Sequence, residues 1–224
     1  MKILLLADIH GAADMLRRAE EPARAADVVV LAGDITKGGS ADEARALLDI
    51  MQPFAAKLLA VHGNWDSEDV RALFEERGIS LHADARVMGD TGFFGVGGST
   101  TTPMHTRVEY AEEEIAGFLA HGYAKLAGVR HIVLVSHTPP HRTRDRTFLG
   151  IRAGSRAVRA FIEQNRVDLC LCGHIHEAGG VESLGTATIA NPGSFKKGKY
   201  IYAETGSDVR VSRGRIRMGF RLFR

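Results

Sequence analysis

With 224 residues, 45% hydrophobic and 25% charged, the chain has apolar material for a substantial core and is neither disordered nor fibrous. A formal net charge of +2 is too small to point to nucleic acid as a partner. The N-terminal apolar run breaks at Asp8, too soon for a signal-peptide core or a membrane span.

From the N-terminus, Leu4-Leu5-Leu6-Ala7 reads as a strand that leads to Asp8-Ile9-His10. The Ala- and Arg-rich stretch from Ala12 to Ala26 follows, with Leu16 and Ala19 at helical spacing. Val28 to Ala32 is a run of β-branched and aliphatic residues ending in Gly33-Asp34, the pattern of a buried strand that delivers a carboxylate to the lip of a sheet. Ser40 and Glu43 have capping-box spacing, which predicts a helix from Ala41 to Met51, before Pro53. A strand over Leu58-Leu59-Ala60-Val61 leads to Gly63-Asn64, and a helix is expected from Glu68 to Glu76, with Asp66 either as its cap, the favoured reading, or supporting a ligand from behind. Strands alternating with helices favour a parallel sheet with helical crossovers.

The middle of the chain differs. Ala85–Met88 and Phe93–Gly97 flank Gly89-Asp90-Thr91-Gly92, which predicts a hairpin. The polar stretch from Gly98 to Thr106 is long for a connection, and a helix is expected from Glu109 to Lys125, with Ile115, Phe118, Leu119 and Leu126 on one face. Ile132 to Val135 then leads to Ser136-His137 and a second long loop, which carries His141, Arg142, Arg144 and Arg146. A helix from Ser155 to Gln164 returns the chain to Leu169-Cys170-Leu171-Cys172 and Gly173-His174-Ile175-His176. Cys170 and Cys172 face the same way on that strand and are badly placed to bond each other, so a reducing cytoplasm is expected. Short strands follow, with turns expected at Leu184-Gly185, Gly206-Ser207 and Arg213-Gly214. In the last strand Ile216, Met218, Phe220 and Leu222 alternate with Arg215, Arg217, Gly219 and Arg221. No repeat or linker interrupts the chain, so a single domain over 1–224 is expected.

Five apolar runs therefore end in Asp, Asn or His, and open α/β sheets bind ligands at that edge. Two neighbouring divalent cations need a bridging carboxylate, for which Asp34 is the candidate. Imidazoles and an amide oxygen complete the shells without excess negative charge, and Asp8, His10, Asn64, His137, His174 and His176 supply that inventory.

On Asp8-Ile9-His10, Gly33-Asp34, Gly63-Asn64, Ser136-His137 and Gly173-His174-Ile175-His176, in order and spacing, the chain resembles the calcineurin-like metallophosphoesterase family. The resemblance implies an α/β fold, α+β by some schemes: a four-layer sandwich of two mixed β-sheets flanked by helices. It implies one metal on Asp8, His10 and His176, a second on Asn64, His137 and His174, and Asp34 between them. Manganese is the first expectation, with iron, zinc, nickel or cobalt compatible. It also implies hydrolysis of a phosphodiester or phosphomonoester by attack of a metal-bridging hydroxide. Gly95-Val96-Gly97-Gly98-Ser99, Thr102-Pro103, Glu109, Thr138-Pro139-Pro140 and Asn191-Pro192-Gly193-Ser194 are similar to small bacterial and archaeal predicted phosphoesterases related to cyclic-nucleotide phosphodiesterases.

One position departs from the family pattern. Many members carry a histidine directly after the Gly-Asn asparagine as an acid for the leaving group, and here that residue is Trp65. An indole gives up no proton at neutral pH, so His141 or His105, both on long loops, is the expected replacement. Arg142, Arg144 and Arg146 are candidates to clamp a phosphate or a substrate tail. The competing reading is a non-catalytic scaffold on the same fold, which has no need to keep a competent residue at every ligand position. A nuclease fits less well, since such relatives usually add DNA-binding domains or basic surfaces and the net charge here is only +2. The expected partner is a small-molecule phosphoester, not nucleic acid or a membrane, and a homo-oligomer is compatible with the chain.

Overall fold

The computed structural model describes residues 1–55 and 57–216. Its first part alternates as the apolar periodicity predicts: β1 (Lys2–Leu6), α1 (Ala13–Arg17), α2 (Glu20–Arg24), β2 (Val28–Ala32), α3 (Ala41–Met51), β3 (Leu58–Val61) and α4 (Glu68–Glu76). Each helical crossover returns the chain to the same end of the sheet, so β1, β2 and β3 pair in parallel. The hairpin of β4 (Ala85–Met88) and β5 (Thr91–Val96) comes next, then the short pair β6 (Ser99–Thr100) and β7 (Glu109–Tyr110). After these run α5 (Glu112–Tyr123), β8 (His131–Ser136), α6 (Arg156–Gln164) and β9 (Leu169–Cys172). The last four strands are β10 (Gly180–Leu184), β11 (Ala187–Asn191), β12 (Lys199–Glu204) and β13 (Arg210–Arg215).

Two mixed sheets result, with strand orders β13-β12-β1-β2-β3 and β10-β11-β9-β8-β5-β4. Alternation along each strand sorts the side chains into three apolar layers. Ile3, Leu5, Val28, Val30 and Val61 of the first sheet meet Phe93, Val133, Val135, Leu169 and Leu171 of the second. Leu4, Leu6, Val29 and Leu31 face the other way, onto Leu16, Leu47, Leu48, Leu73 and Phe74 from α1, α3 and α4. Phe94, Leu134, Cys170 and Cys172 cover the outer face of the second sheet with Ile115, Leu119, Val158 and Ile162 from α5 and α6. The order is helix, sheet, sheet, helix, the four-layer sandwich that the family resemblance implies. Burying one such aliphatic side chain stabilises by about 1.5–3 kcal/mol, so the inner layer is a major source of stability.

Several local expectations are corrected. The Ala12–Ala26 stretch breaks into two short helices at Arg18-Ala19. α3 spans its expected residues without the capping box: the Ser40 side chain makes no cap, and Glu43 Oε1 instead accepts the Lys37 N–H at 3.0 Å. Asp66 does not cap α4, because Ser67 occupies that position and the Asp66 carboxylate is engaged elsewhere. Glu109 lies in β7, and the helix starts only at Glu112. Its carboxylate is held by the Thr102 and Thr106 hydroxyls at 2.7 and 2.6 Å, which ties the polar loop to itself. The turn expected at Arg213-Gly214 is absent, since both residues pair within β13; the Tyr200 ring covers Gly214, where a Cβ would sit 2.1 Å from Tyr200 Cε2. Beyond Ile216, the alternating terminal strand lies outside the described residues. Among the described residues no helix is long and apolar enough to cross a membrane.

Candidate metal centre

The parallel strands β1, β2, β3, β8 and β9 deliver their C-terminal loops to one edge of the sandwich. The loops after β1 and β2 are zipped together: Asp8 N–H donates to Gly33 O at 3.1 Å, His10 N–H to Asp34 O at 2.9 Å and Gly11 N–H to Ile35 O at 2.9 Å. Ile9 and Ile35 plug into the helix-side core between these polar residues. The chain must therefore reverse sharply at each ligand position. Asp8, His10, Asp34 and His174 accordingly adopt left-handed φ values of 56°, 47°, 52° and 65°. Such conformations cost of order 1–3 kcal/mol each at non-glycine residues and cluster at functional sites.

The motif glycines make room for this crowding. A Cβ on Gly33 would lie 2.3 Å from His137 Nδ1, and one on Gly63 would lie 2.0 Å from Asp34 Oδ1. The groups behind the ligands are equally specific. Asp66, buried, accepts from Thr36 N–H, Thr36 Oγ1 and Gly63 N–H at 3.0, 2.7 and 2.8 Å, joining the Asp34 loop to the Asn64 loop. Asn191 Nδ2 donates to the Gly173 and Ile175 carbonyls at 3.1 and 3.2 Å, clamping the turn that carries His174 and His176. Ser194 Oγ donates to Asp8 O at 3.1 Å. Local sequence alone fits Asp66, Asn191 and Ser194 to turn chemistry and to site support alike; long-range hydrogen bonds decide for support.

The donor atoms themselves converge. His10 Nε2 and His176 Nε2 are 3.1 Å apart, and His176 Nε2 is 3.3 Å from Asp8 Oδ1. Asp34 Oδ2 lies 3.8 Å from His10 Nε2 and 3.6 Å from His137 Nε2, so it stands between the two histidines. His137 Nε2 is 2.9 Å from Asn64 Oδ1, and the His174 ring centroid is 5.0 Å from that of His137. Two sets, Asp8 with His10 and His176, and Asp8 with Asp34 and His137, each bring one ligand atom per residue within 4.8 Å of the others. His105 and His141 stand apart. Among the described residues neither ring has a hydrogen bond or ion pair to these seven side chains; His105 is exposed, and His141 Nδ1 lies 3.5 Å from Asp145 Oδ2. The Trp65 side chain, after Asn64, is 39% exposed, while its backbone N–H donates to Asp34 Oδ1 at 2.9 Å.

The donor set fits cations. Asp8 Oδ2 is buried and has no hydrogen-bond partner among the described residues, a costly state for a carboxylate oxygen unless a cation meets it. His137 Nδ1 sits 2.7 Å from the Ala32 carbonyl, which accepts and therefore fixes the proton there. Nε2 is left facing oxygen acceptors, the arrangement in which metal-ligating histidines are oriented by a carbonyl behind them. Without a cation, burial pushes His137 down, but the charge of Asp34 outweighs it and the pKa rises to about 9. Burial likewise pushes Asp34 up, and His137 and His10 outweigh it, to about 2. His174 is partly open to solvent, yet desolvation and the neighbouring His137 charge lower it to about 4, so its ring is neutral at neutral pH.

Fold and donor set together define a metal-binding α/β sandwich. A model of the calcineurin-like phosphoesterase family matches residues 1–178, and the chain belongs to that family of metal-using phosphoric ester hydrolases. An uncharacterised protein of Methanocaldococcus jannaschii is 36% identical over 203 residues, which is 86% of this chain and 88% of that one. TT1561 of Thermus thermophilus superposes with a TM-score of 0.70 at 18% identity, over 96% of this chain and 99% of that one. A dimetal phosphatase from Danio rerio gives a TM-score of 0.67 at 15% identity, over 96% of each chain. At these identities the two structures show a shared fold.

Proposed function

We propose that the chain hydrolyses a small phosphodiester or phosphomonoester at a dinuclear centre. Asp8, His10 and His176 hold one divalent cation, Asn64, His137 and His174 hold the other, and Asp34 is shared. The observation that carries this reading is the buried Asp8 Oδ2, without a hydrogen-bond partner among the described residues and in a residue grouped with His10, His176, Asp34 and His137, because such a set is satisfied by cations and by little else. When bound, the pair supplies Lewis acidity, lowering the pKa of a bound water toward neutrality and neutralising phosphoryl charge.

The protein's own groups do the rest. The carbonyl of Ala32 keeps the His137 proton on Nδ1, so Nε2 stays available. Asn191 and Asp66 hold the ligand loops in register, limiting reorganisation when substrate arrives. His141 is the proposed donor to the leaving oxygen: it follows His137 on the same loop, and its Nδ1 lies 3.5 Å from Asp145, a buried carboxylate paired to Arg152 at 2.8 Å. His105 is the weaker choice, being exposed with no such anchor among the described residues. The free, buried thiols of Cys170 and Cys172 support a reducing, cytoplasmic setting.

Metal-stripped protein reconstituted with Mn²⁺ tests the reading, using paired aryl phosphodiester and phosphomonoester substrates beside Asp34→Asn. Metal-dependent turnover lost in the variant is expected, and the ratio of the two rates sets diester against monoester preference. No turnover with either substrate across several metals would favour the scaffold.

A further inference from the structure

The loop between β8 and α6 builds a second feature beside this centre. A cavity of about 290 Å³ is lined by Arg142, Arg144, Arg146 and Arg152 together with Asp145 and Glu177. Glu177 directly follows His176, so the cavity adjoins the proposed catalytic edge.

The four guanidinium groups are not equivalent. Arg144 Nε donates to Glu182 at 2.9 Å and Arg152 to Asp145 Oδ1 at 2.8 Å, so these two are neutralised in place. Glu177 accepts the Phe148 N–H and keeps its charge, so with Asp145 and Glu182 three carboxylates share the lining with four guanidiniums and leave it positive by one. Among the described residues, Arg142 and Arg146 have no acidic partner. The frame that presents them is built. Asp145 is 1% exposed and accepts the Arg142 N–H at 2.7 Å, and Arg142 and Arg144 hold left-handed φ values of 64° and 54°. Arg144 crosses the backbone at Gly180, where a Cβ would lie 2.2 Å from its Nη1. Two guanidiniums without an ion-pair partner among the described residues, on an anchored wall, suit an anion, since a planar fork matches phosphate oxygens in pairs.

We infer that Arg142 and Arg146 bind a second phosphate group of the substrate, separate from the one that is hydrolysed, so that the preferred substrate is a phosphoester carrying two phosphates. This rests on the hydrolase reading above. It assigns Arg144 and Arg152 to positioning and only Arg142 and Arg146 to contact with the ligand.

The test has two arms on the 224-residue chain. In the first, inorganic phosphate is titrated calorimetrically into chelator-treated protein. Arg142→Gln/Arg146→Gln is expected to weaken binding by at least about tenfold, with the distant Arg24→Gln as control, and binding is expected to weaken with added salt. In the second, Mn²⁺-loaded protein is assayed on adenosine 3′,5′-bisphosphate and on adenosine 5′-monophosphate. The double variant is expected to raise KM for the bisphosphate at least about tenfold with little change in kcat, and to leave the ratio of the two KM values near one. Phosphate binding equal in wild type and double variant, in a variant whose thermal midpoint is unchanged, would overturn the site. A wild-type KM no lower for the bisphosphate would overturn the substrate assignment. Loss of all turnover with phosphate binding intact counts against the hydrolase reading and the substrate class resting on it, while the anion site stands.

Discussion

The Asp66 carboxylate accepts both the backbone N–H and the hydroxyl of Thr36, at 3.0 and 2.7 Å, across 30 positions of sequence. With Gly63 N–H at 2.8 Å it locks two ligand-bearing loops to one buried group. Removing it in Asp66→Ala strands several buried donors, each worth about 1–3 kcal/mol. A stability loss of roughly 3 kcal/mol or more is expected, read as a lower urea midpoint. Asp66→Asn, which keeps the shape but turns one acceptor into a donor, should fall between the two. A wild-type midpoint for Asp66→Ala would refute this role.

Two glycines should respond in opposite directions. Gly63→Ala would set a methyl 2.0 Å from Asp34 Oδ1 and 2.2 Å from the Asp34 nitrogen, so Asp34 must move. Metal-dependent turnover is expected to fall at least about tenfold, in line with the cost of ångström-scale misplacement. Gly117 is exposed in α5, and a methyl added there would have nothing within 4 Å, so Gly117→Ala should stabilise the fold. The expected gain is about 0.5–1 kcal/mol. Chemical denaturation of both variants checks the contrast.

The Asp34 and His137 pair sets a pH dependence in the metal-free chain. Asp34 falls from 3.8 to about 2, so its contribution is present above 3.8 and lost as pH drops toward 2. His137 rises from 6.5 to about 9, so its contribution is full below 6.5 and lost as pH climbs through 9. The pair therefore supports folding best between 3.8 and 6.5. Urea unfolding in the presence of chelator should show stability declining from 6.5 to 9, with a smaller decline in His137→Gln. A cation competes with the same proton, so Mn²⁺ affinity should rise over that interval. Stability that increases across it without metal would contradict the pairing.

The protein contains one tryptophan, Trp65, whose backbone is bonded to Asp34 while its ring reaches solvent. Its emission should be quenched saturably by Mn²⁺, and the quenching should be lost in Asp8→Ala and Asp34→Asn. The same titration should raise thermal stability by about 2.7 kcal/mol at a hundredfold excess over Kd. An unchanged spectrum and melting curve at millimolar Mn²⁺ would count against metal binding at this edge.

Much of this was legible in the chain because it depends on neighbours in sequence. Buried parallel strands read as aliphatic runs, and the residue after each run must lie at a sheet edge, which marked Asp8, Asp34, Asn64, His137 and His174 as a group. Helices α3 and α4 span their expected residues, α3 between Ser40 and Pro53 although its capping box does not form. What was not legible depends on residues far apart. β12 enters the first sheet beside β1 although nearly the whole chain separates them, and that pairing is chosen by the inner apolar layer. Ser40 and Glu43 have the spacing of a capping box, but the loop from Lys37 offered Glu43 a better donor.

By itself the sequence determined the strand and helix alternation, the residue types at the strand ends and the chemistry those types favour, since covalent order and local periodicity carry that information. Which atoms meet depends on the packed chain: Asp66 bridges two loops, and among the described residues Asp8 Oδ2 has no hydrogen-bond partner, Arg144 pairs with Glu182, and Arg142 and Arg146 have no ion-pair partner. The physical reason is that burial and charge pairing are properties of a neighbourhood, and that neighbourhood exists only once the two sheets have packed.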